Sequence, residues 1–522
     1  MGGRSRPSSS TWPAASCTPS IWWRTQTSSS ACARSSRPDR GKPQHSNPRH
    51  VTRGRGWCVF RSESAQNPSK RNDHGCPWTK GARREMEPKT TQTDVVVIGG
   101  GMAGLTAACY LAQAEADVIL FEKAPNLGGR AASQDFDGFR FNRGIHALYT
   151  GGATSRVLQE LGITYGHGSP KETFMLQGGE LYPFPVTPSQ FVHRGLLDAG
   201  DKLGLARLFA SLATLKPRTV AQVSVEEWLE RNIRRPRLRL LMAALARTFV
   251  YTSALDLVSA EVFVEKLRRA LRHPVHYIDG GWQTLVEALR GAAERAGARI
   301  VSGTGVEAVE HSNGRARGVC LRDGSSVGAS TIIIATRPQD ASKLVDRGAH
   351  PSLRRIADSF VPAKLACLDV ALSRLPSPRY PVVQDLDSPR FITAQSLYSR
   401  VAPEGGALIY TFKQLDPANP GDQRENERDL EGLLDVAQPG WREVLIKRQY
   451  LPRIEAVGAL PTATGGGFTG RPGPEVPDIA NLYLAGDWIG PEGFLADAST
   501  ASARQVARLV LSQTKAGAVL AH

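Results

Sequence analysis

A glycine-rich turn contains the first residues whose types and spacing could do chemistry. The run Gly99-Gly100-Gly101-Met102-Ala103-Gly104 follows a β-branched stretch at residues 94–98. Gly99 permits a tight turn, Gly101 lets a ligand approach the backbone, and Gly104 permits a helix to pack closely on a strand. A helix beginning at Met102 and Ala103 would direct its free N–H groups toward phosphate. These residues therefore predict a site for the phosphates of a dinucleotide.

Two strands and a helix must position this turn. The stretch 94–98 is typical of a strand buried on both faces, and apolar residues at helical spacing follow the turn. A second β-branched stretch at 118–121 ends at Glu122, and Lys123 comes next. This order predicts a βαβ unit, in which an acid at the position of Glu122 accepts hydrogen bonds from ribose hydroxyls. The unit does not separate FAD from NAD, so an NAD-dependent dehydrogenase remains an alternative.

The segment after Glu122 separates the two cofactors. It contains Gly128-Gly129-Arg130 and then Phe139-Arg140-Phe141-Asn142-Arg143-Gly144-Ile145-His146. With the glycine turn, these motifs resemble the flavoprotein superfamily of flavin amine oxidases, protoporphyrinogen oxidases and phytoene-type desaturases. The resemblance implies that Gly129 and Arg130 contact the FAD pyrophosphate and that Gly144 lies beside the flavin. Asn142 departs from the Asp that is common in this pattern.

Two later segments extend the resemblance to about residues 93–512. The block at 279–335 combines an amphipathic helix with strand patterns, and the resemblance implies that Val306 contacts adenine through its backbone. At the other end, a strand pattern finishes at Gly486-Asp487, whose carboxylate could bind the ribityl or pyrophosphate part of FAD. A helix beginning near Leu495 would aim its N-terminus at the N1/O2 edge of the flavin, which favours the reduced state.

Three side chains are candidates for the substrate side of the flavin. Phe494 aligns with an aromatic position that lines the flavin in amine oxidases, and Phe468 is a second candidate, although both could equally be core residues. His146 could act as an acid or base, with a structural hydrogen bond as the favoured role. Gly467 stands where a cysteine would be needed for covalent attachment in this loop, so FAD is expected to bind noncovalently.

The fold class expected is α/β, with a Rossmann-like FAD domain whose parallel sheet carries a β-meander. Three chain segments build this domain, and an α+β substrate domain is interleaved with them. The predicted boundaries are a tail at 1–88, FAD segments at 89–165, 276–345 and 456–522, and substrate-domain parts at 166–275 and 346–455.

Composition narrows the class of protein. The 522 residues carry a net charge of +16, of which residues 1–85 hold +12, so the body is not predicted to bind nucleic acid. Cys109, Cys320 and Cys367 in the body form neither a disulfide framework nor a zinc spacing, and no metal site is expected. The basic tail, which includes Cys17, Cys32, Cys58 and Cys76, is expected to be disordered. A misassigned start before Met86 is favoured over a transit peptide.

The expected function is FAD-dependent oxidation of a small organic molecule by hydride transfer to flavin N5. A desaturase or porphyrinogen-type oxidase is slightly favoured, and amine oxidation at C–N bonds is the alternative. A noncatalytic scaffold stabilised by FAD is the alternative from another class. A cytoplasmic protein is expected, and the leucine-rich stretch 194–216 is interpreted as a helix over the substrate cavity, with peripheral membrane contact as the alternative.

Overall fold

The computed structural model describes residues 91–184 and 196–520. The hypotheses on the basic tail, its four cysteines and Met86 lie outside these residues.

Most of the strands belong to two large sheets, and all of them are numbered in chain order. They are β1 (Thr91–Ile98), β2 (Val118–Glu122), β3 (Ser133–Phe136), β4 (Phe139–Asn142), β5 (Leu148–Tyr149), β6 (His167–Gly168), β7 (Phe174–Gln177), β8 (Glu180–Pro183), β9 (Val275–Ile278), β10 (Arg299–Ser302), β11 (Val306–Ser312), β12 (Arg315–Leu321), β13 (Ser326–Ile334), β14 (Ala363–Leu372), β15 (Val382–Asp385), β16 (Arg390–Thr393), β17 (Ala407–Gln414), β18 (Leu445–Val457) and β19 (Leu482–Leu484).

Helices flank both sheets. They are α1 (Met102–Gln113), α2 (Ala153–Glu160), α3 (Ala199–Thr214), α4 (Val225–Asn232), α5 (Pro236–Val250), α6 (Ala260–Ala270), α7 (Gln283–Arg295), α8 (Pro338–Leu344), α9 (Pro351–Ser359), α10 (Gln423–Ala437) and α11 (Ala496–Leu520).

The first sheet has the strand order β10-β2-β1-β13-β12-β11, with β19 paired to β13. Strands β10, β2, β1, β13 and β19 run parallel, whereas β11, β12 and β13 form an antiparallel meander. Residues 95–98 of β1 are buried. Side chains of α1, α7 and α11 cover one face of the strand, and side chains of β11, β12, α8 and α9 cover the other. The predicted α/β class with a parallel sheet and a β-meander is confirmed. Its strands come from three separated stretches of chain.

The second sheet has the order β18-β14-β17-β16-β15-β7-β8. Along β14, Leu365 and Cys367 face a cluster with helices α3 to α6, while Ala366 and Leu368 face a cluster with α10. This alternation arises because successive side chains in a strand point to opposite faces. Both faces of the sheet are therefore covered, and its helical side forms the wall of the expected substrate region. The residue boundaries between the two domains stay a prediction.

Two elements end elsewhere than the sequence pattern predicts. The pattern over 391–397 predicts a strand, but β16 ends at Thr393, and a short 3-10 turn, Gln395–Leu397, follows it. The pattern of the last helix predicts an end near residue 511, whereas α11 continues to Leu520.

Residues 199–214 of the leucine-rich stretch form α3, and residues 194 and 195 lie outside the described part of the chain. Asp198 and Asp201 form a capping box that begins the helix. Leu205, Leu208 and Leu212 are buried in the helical cluster, whereas Leu203 is 51% exposed. Most of the apolar face is thus core, as the interpretation of a covering helix expects. Among the described residues, no helix is both long and apolar enough to cross a membrane.

Candidate cofactor and substrate site

The glycine turn joins β1 to α1 in the conformation that its spacing predicts. Gly99 has a φ of +111°, and a Cβ there would lie 2.6 Å from the carbonyl oxygen of Ala335. A Cβ at Gly104 would clash with the carbonyl oxygen of Gly99, so only glycine lets α1 pack this closely on the turn. The turn therefore depends on both residues.

Gly101 and Gly129 border an open cradle. Backbone groups of the two glycine motifs are paired, with the Gly128 N–H donating to the Gly100 oxygen at 2.8 Å. A Cβ at Gly101 or Gly129 would have no atom closer than 4.0 Å on that side. No side chain caps the N-terminus of α1, so its first N–H groups, which include those of Met102 and Ala103, point into this space.

Glu122 lies at the end of β2, against the glycine turn. Its carboxylate accepts hydrogen bonds from the backbone N–H groups of Gly100, at 2.7 Å, and Ala124, at 2.8 Å. Each carboxylate oxygen can accept a further hydrogen bond, so a ribose contact remains compatible. Lys123 points elsewhere, since its exposed ammonium group pairs with Asp340 at 3.3 Å.

Val306 begins β11 and is buried. The turn before Val306 approaches the end of β2, because the backbone N–H of Thr304 donates to the backbone carbonyl oxygen of Glu122 at 3.0 Å. The structure thus brings the second predicted segment to the acid that ends β2.

Arg130 joins the first and third predicted segments. Its guanidinium group donates to both carboxylate oxygens of Asp487, at 2.8 and 2.7 Å, across 357 positions of sequence. Burial by itself would raise the pKa of Asp487, but Arg130 and the N–H of Gly458 hold this pKa below its usual value. The side chain of Asp487 is 4% exposed. The side chain of Arg130 is 39% exposed, although it lies deep enough in the protein for burial to act on its pKa. Arg130 therefore faces an internal cleft.

Arg471, which the sequence reasoning missed, holds the third segment in shape. It is buried and donates to the carbonyl oxygens of Asp487, at 2.9 Å, and Gly493, at 2.8 Å. Its guanidinium group also lies over the ring of Phe468, at 4.8 Å from the centroid. Gly486 is tied to α11, because its N–H donates to Ser502 Oγ at 3.0 Å.

The segment around Gly144 connects the first and second segments. Asn142 accepts hydrogen bonds from Ser133 Oγ at 2.7 Å and from the Trp282 N–H at 3.0 Å. An amide oxygen meets both donors, so the departure from Asp keeps this connection without a charge. Gly144 has a φ of +81°, and a Cβ there would collide with Ile454.

His146 packs against Trp282, with the ring centroids 5.0 Å apart. Its Nδ1 lies 2.9 Å from the carbonyl oxygen of Gly144, and the backbone of Arg130 provides a second hydrogen-bonding partner. Burial lowers the pKa of His146, so the ring is neutral at physiological pH. These contacts favour the structural role over an acid or base.

Phe494, Leu495 and Phe468 lie where the FAD segments meet the helical wall. Phe494 and Phe468 are both buried in the cluster formed with α3 to α6. Leu495 has a φ of +58°, a left-handed conformation that is rare for leucine and immediately precedes α11. The N–H of Phe468 donates to the carboxylate of Glu261 on α6 at 2.9 Å.

Helix α6 brings further buried charges to this junction, and the sequence reasoning missed them too. Arg269 pairs with Asp497 and with Glu265, while Lys266 lies over the ring of Tyr149 at 3.2 Å from the centroid. A signal was present for Lys266, which follows Val262 by four residues and therefore lies on the apolar face of the helix.

These residues fit a dinucleotide cofactor. The open glycine cradle admits a pyrophosphate, the uncapped N-terminus of α1 offers donors to it, and Arg130 offers a charged donor in the cleft. The described residues hold no cluster of side chains that could bind a metal ion. Fold and site together fit the class of proteins that bind a dinucleotide cofactor.

Comparison with known proteins agrees with this class. The family model "Flavin containing amine oxidoreductase" matches residues 102–366, about half of the chain. The chain therefore belongs to the family of flavin-containing amine oxidoreductases, and it is a flavin-dependent oxidoreductase. The predicted resemblance is confirmed, and so is the expectation of a flavin-dependent oxidoreductase in place of an NAD-dependent dehydrogenase.

Individual proteins show the same likeness. A carotenoid 3,4-desaturase of Haloarcula japonica is 63% identical over 51 residues, which is 10% of either chain. A 4,4'-diapolycopen-4-al dehydrogenase of Metabacillus indicus is 21% identical over 76% of this chain and 93% of its own. The solved structure of an oxidoreductase from Methanosarcina mazei shares the fold, with a TM-score of 0.64 and 20% identity over 79% of this chain and 99% of that one.

Proposed function

We propose that the chain binds FAD noncovalently in the cleft bordered by the glycine turn, Arg130 and the start of α11. In this proposal the pyrophosphate lies against Gly101, Gly129 and the N-terminus of α1, where donors and glycine backbone converge. Glu122 accepts from a ribose and the segment at Val306 borders the adenine. The bound flavin would accept hydride at N5.

The third segment acts on the flavin end. Arg130, held by Asp487, would give a fixed positive charge to the phosphates, and Leu495 directly precedes α11, whose first N–H groups would stabilise negative charge. Asp497 on the first turn of that helix is engaged by Arg269 and by the N–H of Thr154, so these partners offset its charge.

Noncovalent binding is supported by the cysteines. Among the described residues, Cys109 and Cys367 are buried with raised pKa values because burial disfavours their thiolates, and Cys320 lies on the meander. Heating the purified protein tests this point. FAD should appear in the supernatant over a colourless pellet, and a yellow pellet would contradict noncovalent binding.

The reaction we propose is the oxidation of a C–C bond to C=C in an apolar small molecule. One observation carries the choice over amine oxidation: the cluster that contains Phe494 and Phe468 is formed with apolar side chains of helices α3 to α6. Such a wall suits a hydrocarbon, and its apolar side chains offer no carboxylate partner to a cationic amine. The names of the two relatives, a carotenoid desaturase and a diapolycopenal dehydrogenase, support the same substrate class.

An anaerobic substrate panel tests the reaction. The purified protein is mixed with acyclic polyenes in detergent, with protoporphyrinogen, and with primary amines, while the flavin absorbance is followed. We expect bleaching with a polyene, together with a red shift of the polyene spectrum as a double bond is gained. Bleaching by amines alone would favour the alternative function, oxidation of C–N bonds.

A further inference from the structure

Lys266 is a buried lysine beside Phe494, which is a candidate for the substrate side of the flavin. It is 3% exposed and lies on the face of α6 that also carries Phe263 and Leu267. Its Nζ lies 3.2 Å from the centroid of the Tyr149 ring and 5.6 Å from that of Phe494. The amine therefore has two aromatic rings as neighbours, and one of them, Phe494, lies two residues before the start of α11.

No oxygen or nitrogen atom of a described residue accepts a hydrogen bond from Lys266. Two carboxylates, those of Asp497 and Glu265, lie near enough to affect its pKa, but both have other partners. Asp497 binds Arg269 and the N–H of Thr154, and Glu265 binds Arg269. Buried lysines ordinarily have an acceptor, since an unpaired ammonium group loses its hydration without compensation. A lysine held in this way is expected to serve a function.

The surroundings make Lys266 a base near neutral pH. Burial is the largest of the effects that together lower its pKa from 10.5 to about 7; Arg269 acts in the same direction, whereas Asp497 and Glu265 oppose it. Tyr149 on β5, whose ring lies against the amine, has its hydroxyl group 3.2 Å from that of Tyr251 at the end of α5. Burial raises the pKa of both phenols, so they stay protonated.

His146 is the rival base in this region, and its contacts exclude it. Its Nδ1 lies against the carbonyl oxygen of Gly144, and the backbone of Arg130 holds the ring as well. Both interactions are made within the FAD segment. Lys266, by contrast, has a lone pair that no described residue occupies.

We propose that the Lys266 amine is a catalytic residue that accepts the proton released by the substrate. The inference rests on the proposed desaturation, in which two adjacent carbons each lose one hydrogen. One hydrogen leaves with its electron pair as hydride, which the flavin of this family accepts. The other leaves as a proton and bonds to Nζ, and the electron pair of its C–H bond becomes the second bond of C=C. The resulting ammonium then returns the proton to solvent.

The reductive half-reaction tests this role. In the wild-type holoprotein, the rate of anaerobic bleaching by a polyene should rise about tenfold per pH unit below 7 and level off above it. Lys266→Met should be slower by roughly 10²–10⁴-fold and lack this rise, because general bases contribute effects of that size. Lys343→Met, at an exposed lysine, should behave as the wild type. A normal rate and pH profile in Lys266→Met would overturn the proposal.

Chemical rescue distinguishes a base from a structural lysine. In Lys266→Ala, small primary amines should restore polyene-dependent bleaching, with rates that follow the basicity of the added amine. Rescue that does not depend on amine basicity would contradict proton transfer. Each amine is also added without polyene, so that direct oxidation of the amine is measured separately.

A titration without turnover provides the second readout. The ¹³Cε resonance of Lys266 in labelled protein, assigned by its loss in Lys266→Met, should titrate near pH 7. A midpoint near the ordinary value of about 10.4 would overturn the proposal. The two proposals fail differently. If only amines bleach the flavin, the desaturase function is wrong, and the titration and the pH profile with that amine still test Lys266. If a polyene bleaches the flavin equally well in Lys266→Met, only the role of the lysine is wrong.

Discussion

Arg130 and Lys266 are both cations surrounded by protein, but they are held in opposite ways. Arg130 is bound on two atoms by Asp487, and the pair ties the first FAD segment to the third. Lys266 has aromatic rings for neighbours and no acceptor among the described residues. The paired charge is retained at every physiological pH, while the unpaired one gives up its proton near neutrality.

The difference separates two uses of a buried charge. At the cofactor end, the paired Arg130 makes a structural connection, and in the proposed function it would also be a permanent, oriented donor for phosphate. At the proposed substrate end, the unpaired Lys266 lowers the free energy of unfolding, but its amine has a basic lone pair that no described residue occupies. The three predictions below test this contrast.

The largest effect should come from breaking the pair. Arg130→Ala leaves the carboxylate of Asp487 buried and unpaired, which should lower the free energy of unfolding by about 3–5 kcal/mol. Bound flavin should be lost as well. Urea unfolding measures the first effect and flavin absorbance after gel filtration the second.

The matched control is Arg140→Ala in the same segment. Arg140 pairs with Asp135 at 3.0 Å, with both side chains about half exposed. Such surface pairs contribute about 0–1 kcal/mol, so this variant should retain its flavin and its stability. Equal losses in the two variants would show that the burial of the Arg130 pair is unimportant.

The opposite change is expected at Lys266. Because its pKa in the folded protein, about 7, lies below 10.5, the unfolded chain binds a proton that the folded chain lacks between these values. Folding of the wild type is therefore penalised fully below pH 7, and the penalty disappears as the pH rises to about 10.5. Lys266→Met should raise the free energy of unfolding at neutral pH by a few kcal/mol, since one pKa unit corresponds to about 1.4 kcal/mol.

Urea unfolding at several pH values measures this gain. The difference between Lys266→Met and the wild type should shrink steadily from pH 7 to pH 10. A destabilised Met variant, or a difference independent of pH, would mean that Lys266 is stably charged in the folded protein.

The smallest effect concerns the open cradle. Gly101→Ala adds a methyl group that meets no atom within 4.0 Å, so the stability of the flavin-free protein should change by less than about 0.5 kcal/mol. The same methyl group would crowd the phosphate, and flavin affinity should fall roughly tenfold, or about 1.4 kcal/mol. Fluorescence titration measures this affinity. Gly473→Ala, an exposed position with open space around it, should leave both quantities unchanged.

The cofactor half of the molecule was largely predictable because its signals are local. The glycine turn, the strand before it and the acid that ends β2 lie within about thirty residues, and each is specified by backbone geometry or periodicity. The end of the strand at Thr393 was not predictable, because the 3-10 turn after it contains residues of ordinary strand propensity.

The sequence by itself determined the βαβ unit and the α/β class, in which three separated stretches build the first sheet, since glycine spacing and apolar periodicity act over neighbouring residues. The tertiary structure decided which charges meet. Asp487 reaches Arg130 across 357 positions, and Arg269 takes Asp497 and Glu265 and so leaves Lys266 without an acceptor. Electrostatic effects depend on distance and burial in space, and sequence separation carries neither of them.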